Sequence, residues 1–223
     1  MDEDQILEEA YKHRWGEGVP KDPQKALELY EIGISKGYDF CKYEAGSMLK
    51  DGASGVFDRS RAFDLIEEAA ENGVVDAIYS LGYFYLNGGM GNVGYSEEVL
   101  KQKEIETDTE KGIQYLKVAA KYNHPNAIVN LARHYYWQSK DKPRLLKDAI
   151  KWWKKGIKIG ELSCMVDIGD LHILGIGVKK DKIKAWNLYE KAADCEFNIS
   201  PQNAAEYRLK HFTDLEEELQ QYW

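Results

Sequence analysis

An all-α array of paired helices is the fold class this sequence predicts, and three observations predict it. Small residues recur in one context: Ala10, Gly46, Gly82, Ala132 and Gly169 stand 36, 36, 50 and 37 residues apart, a regular period with one long insertion. A second series moves with the first, because Ala26, Ala62, Gly112, Ala149 and Ala185 repeat at 36, 50, 37 and 36, and Gly33, Ala69, Ala119, Gly156 and Ala192 each follow seven residues later. Between these slots the apolar residues have helical spacing rather than strand alternation, as in Ala26, Leu27, Leu29, Tyr30 and Ile32. Periods of about 34 to 47 residues with two helices in each belong to superhelical solenoids.

The register divides residues 1–196 into five units of two antiparallel helices, A and B, at about 6–40, 41–76, 77–126, 127–163 and 164–196, and leaves 197–223 for C-terminal capping helices. In the first unit Ala10 marks helix A, Gly16 the turn, and Asp22 the residue that caps the first free N–H groups of helix B. Gly37 then ends helix B in the left-handed cap position that Gly and Asn tolerate best. The second unit repeats this with Gly52, Asp58 and Gly73, and the third with Gly88, Asp108 and Asn123 around an insertion at 89–107. The fourth replaces the glycine loop by "WQSKDKPRLLKDA" and ends at Gly160; the fifth restores it with Gly175 and Asp181. Beyond Ala193 the period continues only to Ala205, and Leu209, Phe212, Leu215 and Leu219 offer an apolar cover for the last repeat.

Within the insertion, Gly89, Gly91 and Gly94 of "GGMGNVG" match the spacing G-x-G-x-x-G of a dinucleotide cradle. That cradle needs a strand leading into it. Here "DAIYSLGYFYLN" leads in, which is a helix A, and Gly88 is equivalent to the turn glycines Gly16, Gly52 and Gly175. The glycines are therefore read as a turn and the start of a loop. The acids that follow, Glu97, Glu98, Glu104 and Glu106, leave two readings open, a binding element or a solvated surface.

Charge and composition narrow the function. Thirty Lys and Arg against 38 Asp and Glu give a net charge of −8, which disfavours general binding to nucleic acid or membranes. The acidic start and the lack of any run of about 18 apolar residues suggest a cytoplasmic protein. Cys41 and Cys164 share the slot of Ala77 and Ala127 and read as small packing residues, with no C-x-x-C in the chain. His13 and His172 take the slot of Tyr85 and Tyr135 and have three units between them, too far for one metal site. Trp153 shares the slot of Tyr30, Ile66, Leu116 and Tyr189, which is core. No spacing brings together nucleophile, base and oxyanion donor, so no catalytic residue, metal or cofactor is expected. The exception to the acidic balance is "SKDKPRLLKDAIKWWKKGIK", where Lys147, Lys151, Lys154, Lys155 and Lys158 cluster around Asp148.

The phrases "YKHRWGEGVPKDPQKALELYEIGISKG" and "IGDLHILGIGVKKDKIKAWNLYEKAA" resemble Sel-one-like repeats, relatives of the tetratricopeptide repeats, across residues 6 to 196. The resemblance implies a right-handed superhelical solenoid of about five helix-turn-helix repeats with a C-terminal capping helix, in which the A helices line a concave, protein-binding side. Positions −2, +1 and +5 from the first small slot lie within about 60° of each other on such a helix. They mix acids with aromatics: Glu8, Glu44, Ser80, Asn130 and Asp167; Tyr11, Ser47, Tyr83, Arg133 and Asp170; Trp15, Asp51, Asn87, Trp137 and Leu174. The candidate binding residues are therefore Tyr11, Trp15, Glu44, Asp51, Tyr83, Asn87, Asn130, Arg133, Trp137, Asp167 and Asp170, with His134 beside them on a face expected to be exposed. Aromatic anchors beside carboxylates suit a protein or peptide partner with a basic patch. The expected function is a non-enzymatic scaffold or adaptor, in its specific form an immunity protein that neutralises a toxin or effector, acting as a monomer or homodimer. The alternatives are a hydrolase-like enzyme and a weak nucleic-acid binder that uses the Lys-rich fourth repeat.

Overall fold

The computed structural model describes residues 1–51, 55, 57–88, 106–194 and 200–220, and among them there are twelve helices and no strand. The chain forms two compact units, Met1–His124 and Pro125–Trp223.

The first unit holds three helix pairs: α1 (Glu3–Trp15) with α2 (Pro23–Ser35), α3 (Asp39–Asp51) with α4 (Arg59–Glu71), and α5 (Val75–Asn87) with α6 (Thr109–Lys121). Helix starts follow the caps. Asp22, Asp58 and Asp108 accept from the backbone N–H of Lys25, Arg61 and Lys111 at 3.0, 3.0 and 2.9 Å, and Pro23 occupies the first turn of α2 where a missing N–H costs nothing. Helix ends follow the left-handed residues, and Asn123, with φ +64°, does what glycine does at the other B-helix ends.

Close approach within a pair explains the two small-residue series. A Cβ on Gly82 of α5 would lie 2.8 Å from Leu116 Cδ2 and 3.0 Å from the Leu116 backbone nitrogen, and one on Gly112 of α6 would lie 2.9 Å from the Gly82 carbonyl oxygen. The backbones of α5 and α6 thus touch where both residues lack a side chain. A third slot faces the next A helix: a Cβ on Gly33 would meet Cys41 Sγ at 2.3 Å. Cys41 is accordingly buried, and burial pushes its thiol up to about 11.

The second unit contains α7 (Pro125–Ser139), α8 (Leu145–Lys158), α9 (Leu162–Leu174), α10 (Lys182–Ala193), α11 (Ser200–Lys210) and α12 (Leu215–Leu219). Asp181 caps α10 through the Lys184 N–H at 3.0 Å. Every residue of α9 from Cys164 to Ile173 is buried, because α8, α10, α11 and α12 all pack on it. The expected cover is present. Leu215 and Leu219 are buried against Met165, Val166, Ile173 and Tyr189, and Leu209 and Phe212 pack on the same cluster. Trp153 has no exposed surface, and Cys164 lies against Gly156 as Cys41 lies against Gly33.

Candidate protein-binding surface

The A helices place the expected site residues in two groups with different surroundings. The first group is exposed and aromatic. Trp15 at the end of α1 is 58% exposed, Tyr83 on α5 43%, and Trp137 on α7 57%. Each tryptophan ring is overlain by a cation: the Arg14 guanidinium lies 5.1 Å from the Trp15 ring centre, and Lys140 Nζ lies 4.1 Å from that of Trp137. Tyr83 packs against Tyr79, and the exposed Asn87 donates to the Tyr83 carbonyl at 2.8 Å. These rings are held in place while their outer faces meet solvent.

The second group is acidic and lies inside. Glu44 on α3 is buried and accepts from the Tyr11 hydroxyl at 2.6 Å and from Arg14 Nη1 at 2.5 Å. Asp167 on α9 is buried and accepts from Arg133 Nε and Nη2 at 3.0 and 3.2 Å and from the Trp153 indole at 2.8 Å. Asp170, with no exposed surface, is held by Arg208 and Tyr189. Burial, reinforced by the carboxylate each one bonds, raises the phenols of Tyr11 and Tyr189, so both remain donors.

These placements correct the reason for expecting a basic partner. The expectation took Glu44, Asp167 and Asp170 as free surface carboxylates, but arginines on neighbouring A helices or, for Asp170, on the capping helix, and ring donors, two of them from B helices, occupy them. Such partners offset the hydration that a carboxylate loses on burial. In the last repeat the cause is also topological, since the capping helix α11 lies over the stripe of α9. Glu8 is exposed, but it is paired to Lys12 at 2.7 Å, which holds its carboxyl below the usual range.

The remaining expected residues are intermediate. Asn130 is half-buried on α7. His134 is half-buried rather than exposed, lies edge-on to Tyr135, and has its pKa lowered by burial. Asp51 closes α3, but its side chain lies outside the described residues, as do Gly89, Gly91, Gly94 and the greater part of the 89–107 insertion. Sequence reading did not find Arg14 and Arg208, which complete the buried pairs; the available signal was an arginine 30 to 38 residues from an acid of the stripe.

Among the described residues no group of His, Cys, Asp and Glu is placed to hold a metal ion, and no helix is long and apolar enough to cross a membrane. The geometry is that of an α-helical repeat protein whose helix pairs bury small residues at their crossings. The Sel1 repeat model matches residues 10–38, 40–74, 75–124, 125–160 and 162–197, and the chain belongs to the Sel1 repeat family. A Sel1 repeat protein from Oxalobacter formigenes has the same fold, with a TM-score of 0.73 at 17% identity over 99% of this chain and 83% of that one. An immunity protein from Pseudomonas aeruginosa superposes with a TM-score of 0.57 at 16% identity, over 98% of this chain and 83% of the other. Among curated relatives, chitin synthase regulatory factor 3 of Schizosaccharomyces pombe is 29% identical over 111 residues, which are 50% of this chain and 10% of that protein. The chain therefore spans only a tenth of the length of that relative.

Proposed function

We propose that the chain is a non-enzymatic scaffold or adaptor that binds a protein partner through exposed rings of its A helices, Trp15 and Tyr83 in the first unit and Trp137 in the second. One observation carries this reading. Large rings stand more than two-fifths exposed on A helices of both units, Trp15 and Trp137 at equivalent positions, while Arg14 and Arg133 beside these tryptophans are committed to the buried Glu44 and Asp167. Exposed tryptophan and tyrosine on a rigid backbone lose little conformational freedom on binding and often dominate interface energies. Family membership supports the scaffold reading, and neutralisation of a toxin or effector is the specific form we propose for it, in keeping with the shared fold of an immunity protein.

Because Glu44, Asp167 and Asp170 are internal, apolar and cation–π contacts dominate recognition, and a basic patch on the partner contributes less than the stripe's composition implies. The test is affinity purification from the native host with wild-type chain and a Trp15→Ala/Tyr83→Ala/Trp137→Ala variant in parallel. A stoichiometric partner retained by the first and lost by the second supports the proposal. Turnover in a broad hydrolase screen, unaffected by the triple substitution, would favour the enzymatic alternative instead.

A further inference from the structure

A different face is set apart by charge. Helix α8 carries Lys147, Lys151, Lys154 and Lys158 at relative positions 0, 4, 7 and 11, all four exposed. At 100° and 1.5 Å per residue they fall within about 60° of one another along roughly 16 Å of helix axis. Asp148, the acid of α8, lies about 100° from Lys147 and about 60° from Lys151 around the helix, at the edge of the stripe. The stripe borders a groove of about 620 Å³ that Lys155, Ile150 and Gly177 also line. Gly177, at φ +65°, comes from the turn between α9 and α10, and a Cβ there would meet Ile150 Cδ1 and Leu146 Cδ2 at 2.7 Å. Only glycine lets that turn press onto α8 beneath the lysines.

These four ammonium groups have no hydrogen-bond or ion-pair partner among the described residues. Lys12, Lys42 and Lys180, by contrast, are each paired to a carboxylate. A column of like charges about one helical turn apart is repulsive, and the fold does not require it. The buried face of α8, made by Ala149, Ile150, Trp153 and Gly156, packs the same way whatever stands outside.

We propose that this stripe is a docking site for an acidic peptide segment of a partner protein, bound in extended form across the lysines. Side chains on one side of an extended chain recur every 6.6 Å or so, close to the 4.5 to 6 Å steps of the lysine column, and about five extended residues cover its length. A nucleic acid fits less well. Among the described residues no aromatic side chain lines the groove to stack on bases, and the net charge of −8 repels a polyanion longer than the stripe. The site lies on a B helix and does not depend on the A-helix surface.

The experiment titrates the full chain into a fluorescent peptide of alternating Glu and Ser and follows anisotropy at low salt. Lys151→Glu/Lys154→Glu weakens binding by at least about tenfold. Lys121→Glu/Lys184→Glu makes the same charge change at exposed, unpaired lysines elsewhere and leaves affinity within about twofold. All four positions are exposed, so the helical circular dichroism of both variants matches wild type. Equal weakening by the two pairs, no binding at low salt, or displacement of the peptide by a single-stranded oligonucleotide of equal charge at lower concentration each overturns the proposal, the last in favour of a nucleic-acid surface.

Discussion

Arg208 on α11 grips Asp170 on α9 through two hydrogen bonds, Nε to Oδ1 at 2.5 Å and Nη2 to Oδ2 at 2.6 Å, across 38 residues of sequence. The carboxylate has no exposed surface and also accepts from the Tyr189 hydroxyl at 2.8 Å. The pair fastens the capping helix to the last repeat, beside the apolar cluster that Leu215 and Leu219 close.

Breaking that pair from one side leaves a buried charge with too few partners. Arg208→Ala is expected to lower unfolding free energy by about 3–5 kcal/mol, and the double substitution Asp170→Leu/Arg208→Met to recover most of the loss. Urea unfolding followed by circular dichroism measures both. An Arg208→Ala protein as stable as wild type would mean that Asp170 is solvated or protonated instead.

The crossing of α5 and α6 is equally specific. A methyl group on Gly82 meets the Leu116 backbone nitrogen at 3.0 Å, and a helix backbone yields less readily than a side chain. Gly82→Ala is expected to cost about 1–3 kcal/mol and Gly82→Leu more. Melting temperatures equal to wild type would place this crossing farther apart than the structure does.

Much of this was legible in the sequence, and the part that was not has a definable cause. The small-residue series located the helix crossings, and the aspartates four residues ahead of the second series are the observed caps of α2, α4, α6 and α10. Trp153 in the core and Leu215 and Leu219 in the cover also followed from register. What failed was the assumption that residues sharing one angular stripe share one solvent exposure. A helix wheel states which way Glu44 or Asp167 points; it does not state that Arg14 or Arg133 reaches it from the neighbouring A helix. The two arginines sit at different register positions, so no periodic signal announces them.

His124 supplies a pH dependence. Its ring stacks on Tyr79 at 4.3 Å, and burial lowers its pKa even though Asp76 lies 3.3 Å away and favours the charged form. The native state thus prefers neutral His124, the unfolded chain takes up the proton first, and stability falls as pH drops below about 6.5, the ordinary histidine value. His134 is shifted in the same direction by burial. Urea midpoints measured from neutral pH downward are expected to decline in this window and to decline less in His124→Asn. A flat profile down to the carboxylate range would contradict this placement.

Cys41 and Cys164 are expected to resist alkylation at neutral pH in the native protein and to label rapidly in denaturant, since both are buried and burial raises both thiols. Mass spectrometry of iodoacetamide-treated protein resolves the two sites. Native labelling of either at the denatured rate would show that the contacts with Gly33 and Gly156 open readily.

Recognition by the A-helix aromatics is tested most directly by the affinity of Trp137→Ala for the partner recovered from the host. Trp137 is the cleaner probe, because the neighbouring Arg133 pairs with buried Asp167, and Arg133→Glu would disturb the fold as well as the surface. Titration calorimetry is expected to show a loss of about 2 kcal/mol, roughly thirtyfold in Kd, with unchanged melting temperature and little dependence on salt. An affinity equal to wild type for Trp137→Ala, and likewise for Tyr83→Ala and Trp15→Ala, would contradict binding through this surface.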